Sequence, residues 1–150
     1  SDLPYLMHLN LVSMEILAAL SAEPQHDGNL AVQCALLHDT IEDTDTSYAQ
    51  IESMFGISVA DGVVALSKNP NLEKSQRLVD SLERIKQQPI EIWMVKLADR
   101  ITNLQPPPPH WERAKIIRYR DEAIEIHTAL QAASPYLASR LAALIRSYLT

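Results

Sequence analysis

The sequence predicts an all-α protein, and three patterns point that way. Apolar residues recur three and four positions apart along most of the 150 residues, which is the spacing of one face of an α-helix. Alternating runs of β-branched residues, which are typical of a half-buried strand, are few. Turn residues such as Pro24, Gly56 and Pro89 separate the periodic segments. We therefore expect a bundle of about eight helices.

Four helices are predicted in the first half of the chain, at residues 5–20, 29–41, 48–55 and 59–66. The first carries an apolar stripe and ends before Pro24, and the second follows a turn and cap at Asp27 and Gly28. The third follows a Thr-Ser cap and ends at Gly56. The fourth ends at an Asn-Pro-Asn turn.

Four more helices are predicted at residues 72–88, 90–104, 111–130 and 135–149. The first of these is the most charged and is expected at the surface, whereas the next is much more apolar and is expected at the centre. Four consecutive prolines at 106–109 cannot be helical and predict a rigid corner. A proline-rich recognition ligand is the alternative, which the adjoining helical sequence disfavours. Without an internal repeat or a boundary, one domain over 1–150 is expected.

Composition and charge exclude several classes of function. Thirteen basic residues against nineteen acidic ones give a net charge of −6, which argues against a nucleic-acid partner or an anionic membrane surface. The three glycines form no phosphate-binding loop. The single cysteine, Cys34, lies among apolar residues and is expected to be a buried, inert thiol. Because no apolar run approaches a membrane span, we expect a soluble, cytoplasmic protein.

The segment Ala-Leu-Leu-His-Asp-Thr-Ile-Glu-Asp-Thr at residues 35–44 carries the most chemical information. On a continuous helix, one imidazole and three carboxylates would share a single polar sector. His38 and Asp39 could then reach one cation in a groove between helices, and His8 and Asp99 are candidates for the missing ligands. Taken singly, such a histidine is more often a core or surface residue and such an aspartate is usually in an ion pair. Together they form a thiolate-free set that suits Mn(II), Fe(II), Ni(II) or Zn(II), among which spacing does not choose.

These residues also carry a family resemblance. The order His8, His38-Asp39, Asp99 resembles the metal-binding pattern of the HD-domain phosphohydrolases. The blocks PYLMHLNLV, ALLHDTIEDT and VKLADRITNL are similar to the hydrolase domain of the RelA/SpoT enzymes and the small alarmone hydrolases. The resemblance implies an orthogonally packed HD-domain helical bundle. It also implies a Mn(II)-dependent hydrolase that removes the 3′-pyrophosphate of guanosine 3′,5′-bis(diphosphate).

The resemblance assigns roles within this set. His8, His38, Asp39 and Asp99 would hold the metal, and Glu42 and Asp43 would act beside it on the attacking water. A dication lowers the pKa of bound water, and a nearby carboxylate can accept its proton. Two departures from the family are visible: Leu9 stands where proline is common, and a further amino-terminal helix is expected to be absent from the residues that begin at Ser1.

Substrate contacts are predicted from charge and from the resemblance. Between Lys96 and Arg120 there are six bases and two acids, a local charge of +4 that would attract a phosphorylated guanosine nucleotide. The candidate substrate contacts close to Asp99 in the sequence are Lys96, Arg100 and Asn103. Two more candidates, Lys115 and Tyr119, stand four and eight positions after Trp111, the offsets at which the family has substrate contacts.

Two other functions remain open from the sequence. The same site could act on a different phosphorylated nucleotide, because pocket residues set the preference and the metal site sets the chemistry. A non-catalytic nucleotide-sensing domain with a relic metal site is the other alternative. The presence of Glu42 and Asp43 beside a complete ligand set disfavours the relic, since a sensor has no need of acid/base groups.

Overall fold

A computed structural model describes residues 4–148, and within that range the chain is helical without any strand. In residues 4–148, nine α-helices and one 3-10 turn follow one another: α1 Tyr5–Ala22, α2 Gly28–Leu37, α3 Thr40–Asp43, α4 Tyr48–Phe55, α5 Ile57–Leu66, α6 Lys74–Lys86, α7 Ile90–Asn103, α8 Arg113–Leu130, the 3-10 turn Gln131–Ala133, and α9 Pro135–Ser147. The predicted all-α class is confirmed. The bundle of about eight helices is confirmed as well; the extra helix, of four residues, arises because one predicted helix is divided.

The division falls at the most informative segment. A single helix is predicted over 29–41, but α2 ends at Leu37 and α3 begins at Thr40. Nδ1 of His38 bonds the carbonyl of Ala35 at 2.6 Å, and the hydroxyl of Thr40 donates to the carbonyl of Leu37 at 2.7 Å. These side chains occupy carbonyls that a continuous helix would use for its own backbone bonds. His38 and Asp39 therefore lie at a junction between two helices.

Helix α7 is the centre of the bundle, as its apolar sequence predicts. It packs against α1, α2, α8 and α9 and makes smaller contacts with α5 and α6. Its side chains Ile92, Met94 and Leu97 have no exposed surface. Because α7 is fixed on nearly every side, polar groups on its remaining face, such as Asp99, are held in defined positions.

Helix α1 has the length and the mean hydropathy, 1.3 over 18 residues, of a membrane span, which the sequence analysis does not anticipate. However, one of its stripes is buried against α2, α7 and α9. This stripe contains Leu9, Val12, Ile16 and Ala19. The opposite face, including Leu6 and Met14, is exposed. The packing accounts for the apolar character of the buried stripe and not for that of the exposed face.

The four prolines form a corner between α7 and α8, as predicted. The backbone N–H of Trp111 donates to the carbonyl of Pro108 at 3.0 Å, which closes the turn. As a result, α8 begins at Arg113 instead of 111. The indole of Trp111 lies beside the first turns of α8 and contacts the ring of Tyr119, with 5.4 Å between ring centroids.

Gly62 permits the close approach of α5 to its neighbours. A Cβ at this position would lie 2.5 Å from Cδ1 of Ile92 and 3.0 Å from Sγ of Cys34, and neither of those residues has exposed surface. We expect Gly62→Ala to lower the free energy of unfolding by about 1–3 kcal/mol because the core is overpacked. Urea denaturation measures this change. Gly28→Ala is the control, since its new Cβ meets only Leu20 at 3.5 Å. Equal stabilities of the two variants would contradict the prediction.

Glu23 joins the end of α1 to the start of α9. Its carboxylate accepts a hydrogen bond from the Tyr136 N–H at 2.9 Å and lies 3.3 Å from Nε2 of His26. Burial raises the pKa of Glu23, but the bonds from Tyr136, Ser134 and His26 outweigh burial and lower the pKa below 4.5. A carboxyl group with a lowered folded-state pKa contributes stability that is present above its unfolded pKa and lost as pH falls through the folded pKa.

We expect the Glu23→Gln variant to be less stable than the wild type near neutral pH, with the difference shrinking below about pH 4.5. Urea denaturation of both proteins across this range measures it. The two unfolding free energies should converge once the pH has fallen below the folded-state pKa of Glu23, which itself lies below 4.5. A difference that is independent of pH would exclude the ionised carboxylate as its source.

Candidate active site

Four side chains from three separate segments of the sequence meet in one place. His8 comes from α1, His38 and Asp39 from the α2–α3 junction, and Asp99 from α7. The Nε2 atoms of the two histidines lie 3.4 Å apart. Oδ1 of Asp99 is 3.0 Å from Nε2 of His8 and 3.3 Å from Nε2 of His38. Oδ2 of Asp39 is 3.1 Å from Nε2 of His38 and 3.7 Å from Nε2 of His8. The structure thus brings together the four residues predicted as ligands.

These separations suit one metal ion. Ligand atoms about 2.1 Å from an ion lie about 3.0 Å apart at right angles and about 3.4 Å apart at the tetrahedral angle. The His–His and His–Asp distances in the cluster, 3.0 to 3.7 Å, fall around these values. Two imidazole nitrogens with carboxylate oxygens form a donor set that several first-row dications accept. The residues present therefore fit a dication, and they do not select one metal.

Outer hydrogen bonds orient the ligand atoms. Nδ1 of His38 bonds the Ala35 carbonyl, which turns Nε2 of the same ring toward the cluster. Nδ2 of Asn103 donates to Oδ1 of Asp99 at 3.2 Å, and Nζ of Lys96 lies 3.9 Å from Oδ2 of Asp99. Such outer partners fix the direction of a ligand and its basicity. Asn103 and Lys96, both predicted substrate contacts, are therefore also placed to support Asp99.

The electrostatics of the cluster favour a cation. Burial lowers the pKa of His38, but hydrogen bonds and charge from Asp39 and Asp99 outweigh burial and raise this pKa to about 10. Burial raises the pKa of Asp99, yet the hydrogen bonds from His38 and His8 and the charge of Lys96 hold it well below its usual value. Positive charge is therefore stabilised between the two carboxylates.

Glu42 and Asp43 lie on α3, directly after the junction, and both are exposed. Oε1 of Glu42 accepts a hydrogen bond from the backbone N–H of Lys68, in the turn after α5. The pKa of Asp43 is raised by burial and by the charge of Asp39, while His38 and His8 act in the opposite direction. Asp43 is thus within electrostatic range of the cluster, and Glu42 is tied to a neighbouring turn.

Arg100 is placed differently from the other predicted substrate contacts. Its guanidinium carbon lies 4.2 Å from the centroid of the Tyr119 ring, and its Nη1 donates to the Tyr119 carbonyl at 3.3 Å. Nη2 is 3.5 Å from a carboxylate oxygen of Glu122. The side chain is buried between α7 and α8. These contacts direct Arg100 toward α8 and favour a packing role beside Tyr119.

A pocket of about 610 Å³ adjoins the cluster at Asn103. Its lining includes three of the predicted substrate contacts, Asn103, Lys115 and Tyr119, and the proline corner. Nζ of Lys115 lies 4.2 Å above the ring of Trp111, a cation–π contact that holds the ammonium group at the pocket wall. The pocket combines aromatic surface, a cation and an amide, which suits a nucleotide.

Sequence reasoning missed two features of the site. Trp111 enters the sequence analysis only as the reference position for Lys115 and Tyr119, whereas in the structure it lines the pocket and contacts Lys115. The Lys68 backbone N–H, which bonds Glu42, carries no sequence signal because any residue except proline has this donor.

The comparisons with known proteins agree with this geometry. The family model described as "HD domain" matches residues 1–135. The chain therefore belongs to the HD-domain family, the class of protein that the helical bundle and the His/Asp cluster define.

Individual relatives indicate a narrower class of protein within the HD-domain family. The chain is 31% identical over 124 residues to the guanosine-3′,5′-bis(diphosphate) 3′-pyrophosphohydrolase MESH1 of Danio rerio, covering 77% of this chain and 69% of that protein. It is 30% identical over 142 residues to MESH1 of Xenopus tropicalis, covering 92% and 77%. A solved structure described as a metazoan ortholog of SpoT that hydrolyzes ppGpp superimposes with a TM-score of 0.81 at 28% identity, covering 97% of this chain and 82% of that one. These relatives are named as hydrolases. This chain has the same fold as the solved structure.

Proposed function

We propose that this protein is a metal-dependent pyrophosphohydrolase acting on guanosine 3′,5′-bis(diphosphate). Water is consumed, the 3′-pyrophosphate is released, and guanosine 5′-diphosphate remains. The proposal is carried by one observation: the Nε2 atoms of His8 and His38 each lie within 3.7 Å of a carboxylate oxygen of Asp39 and of Asp99, with two further carboxylates on the adjoining α3. The names of the MESH1 relatives support this substrate.

Each residue of the cluster has a role in this proposal. His8, His38, Asp39 and Asp99 hold the metal, and a dication supplies Lewis-acid chemistry that stabilises phosphoryl charge and favours loss of a proton from water. Asp43 accepts that proton, since its carboxylate lies on α3 within electrostatic range of the cluster. Glu42, fixed by the Lys68 N–H, orients the water.

Substrate binding is assigned to the adjoining pocket. The Lys115 ammonium binds phosphate, and the Tyr119 ring lies against the base or ribose beside Trp111. Asn103 connects the pocket to Asp99 through its side-chain amide. Lys96 adds positive charge beside Asp99. Arg100 acts on the substrate through Tyr119, which it stacks against.

The metal, compartment and extent of the domain are part of the same proposal. We propose Mn(II) as the native ion, with Fe(II), Ni(II) and Zn(II) as the alternatives that the donor set accepts. We propose that the protein is cytoplasmic, because its proposed substrate is a guanosine nucleotide. Its role would then be in signalling by such nucleotides, as in the stringent response. We propose that residues 1–150 form one HD-type domain, since α9 packs on α1, α7 and α8.

The direct test is incubation of the protein with Mn(II) and guanosine 3′,5′-bis(diphosphate), following pyrophosphate release. A panel of nucleotides phosphorylated at the 2′, 3′ and 5′ positions is run beside it. Rapid pyrophosphate release from guanosine 3′,5′-bis(diphosphate), and from none of the other nucleotides, supports the proposal. Inactivity on it together with turnover of another nucleotide would reassign the substrate, and inactivity on the whole panel would favour a sensing domain.

The pocket assignment predicts a selective effect on substrate affinity. We expect Lys115→Met to raise KM about 10- to 100-fold, because a charge-assisted hydrogen bond to phosphate contributes about 1.5–3 kcal/mol. Metal content should not change, since Lys115 lines the pocket and makes its cation–π contact with Trp111. Lys86→Met, at an exposed position on α6, is the matched control. A normal KM for Lys115→Met would remove Lys115 from the substrate site.

A further inference from the structure

One peptide group after α5, which joins Ser67 to Lys68, is bonded at both of its polar atoms. Its N–H, on Lys68, donates to Oε1 of Glu42. Its carbonyl, on Ser67, accepts a hydrogen bond of 2.6 Å from Nη2 of Arg84 on α6. The N–H and C=O of a trans peptide point in opposite directions within one plane. A group that fixes the carbonyl therefore fixes the direction in which the N–H meets Glu42.

Arg84 is itself held firmly. Its Nη1 donates to the carbonyl of Val64 at 2.7 Å, and its Nε donates to Oδ2 of Asp80 at 3.0 Å. Val64 lies in the last turn of α5, and its carbonyl also accepts a hydrogen bond of 3.0 Å from the backbone N–H of Ser67. The planar guanidinium thus bonds the end of α5, the peptide after it and its own helix simultaneously, which an ammonium group cannot reproduce.

Glu42 depends on support from outside its own helix. Helix α3 has four residues and none of them is buried, so α3 alone does not hold the carboxylate in one direction. The hydrogen bond from the Lys68 N–H provides that direction. A positive guanidinium at the other end of the same peptide polarises the N–H and strengthens its bond to the carboxylate.

We propose that Arg84 is a positioning residue for Glu42, acting through the Ser67–Lys68 peptide. The inference rests on the proposed function, in which Glu42 orients the attacking water. Arg84 contacts neither the four-residue cluster nor the pocket lined by Lys115. Its loss should therefore change the rate of the chemical step while leaving substrate affinity and metal content as they are.

Steady-state kinetics with Mn(II) and guanosine 3′,5′-bis(diphosphate) provide the first test. We expect Arg84→Met to lower kcat about 10- to 100-fold, the size of effect that follows displacement of a group in the active site, with KM within about twofold of wild type. Arg84→Lys keeps the positive charge and should therefore have a smaller decrease in kcat. It replaces Arg84→Met in the test if the methionine variant does not fold. Arg77→Met is the matched control: Arg77 also lies on α6 and bonds the carbonyls of Leu72 and Pro70.

A double-mutant cycle with Glu42→Gln provides the second test, because a merely structural effect would persist in that background. We expect the Arg84→Lys substitution to lower kcat in the wild type and to have little further effect beside Glu42→Gln. An equal loss in both backgrounds, or an unchanged kcat in the Arg84 variants, would overturn the inference. An inactive wild-type protein would instead overturn the proposed function.

Discussion

Replacing Asp99 by alanine is expected to abolish metal binding and to lower kcat/KM about 10³-fold or more. Oδ1 of Asp99 lies within 3.3 Å of the Nε2 atoms of both His8 and His38, so its loss opens the cluster at its centre. Lewis-acid stabilisation is worth several kcal/mol, and each 1.4 kcal/mol is about a tenfold change in rate. Metal content by mass spectrometry and pyrophosphate release measure the two effects.

The control for Asp99 must separate loss of a ligand from loss of fold. Asp121→Ala, at an exposed position on α8, removes the same charge and should leave both properties unchanged. Asp99→Asn keeps the shape of the side chain and its hydrogen bond partner Asn103 while weakening the ligand. Circular dichroism confirms that the variants are folded. A normal metal content in folded Asp99→Ala would refute the assignment of Asp99 as a ligand.

The second large effect is expected from Glu42→Gln combined with Asp43→Asn. This variant should retain its metal and lose turnover by about 10²- to 10⁴-fold, the usual contribution of general acid/base catalysis. Neither carboxylate belongs to the four-residue cluster, and both lie on the exposed α3. Metal content and kcat, measured on the same preparation, separate the two roles.

A matched double variant, Asp45→Asn with Glu52→Gln, changes two exposed acids close by in the sequence. It should keep both its metal and its rate. Undiminished turnover in the Glu42 and Asp43 variant would exclude both as essential acid/base groups. Loss of metal from that variant would instead assign one of them to the ligand set.

The helical class and the central position of α7 follow from sequence periodicity, because apolar spacing largely decides which face is buried. The junction at His38 and Asp39 does not follow from periodicity. There the side chains of His38 and Thr40 bond backbone carbonyls, and such local competition is invisible to a pattern of apolar residues.

The candidate ligand set could be predicted only by joining distant segments. His8 and Asp99 are 91 positions apart, and the family resemblance supplied their pairing. Taken singly, His8 was expected to be a core or surface histidine and Asp99 an ion-paired aspartate. Closeness in the sequence does not ensure closeness in the site. Arg100 follows Asp99 on the same helix, but its side chain turns toward Tyr119 and Glu122. Which side of a buried helix a long side chain takes depends on its neighbours from other helices, and these are known only in three dimensions.

The four-residue length of α3 has a consequence for dynamics. Two backbone bonds, from Asp43 N–H to the Asp39 carbonyl and from Thr44 N–H to the Thr40 carbonyl, close its short turns without burying a side chain. Such a segment can open while the surrounding bundle stays intact. Hydrogen exchange at these two amides should therefore be far faster than at the amides of α7, and a bound nucleotide should slow it. Catalytic competence would then depend on a local ordering event that leaves the rest of the molecule unchanged.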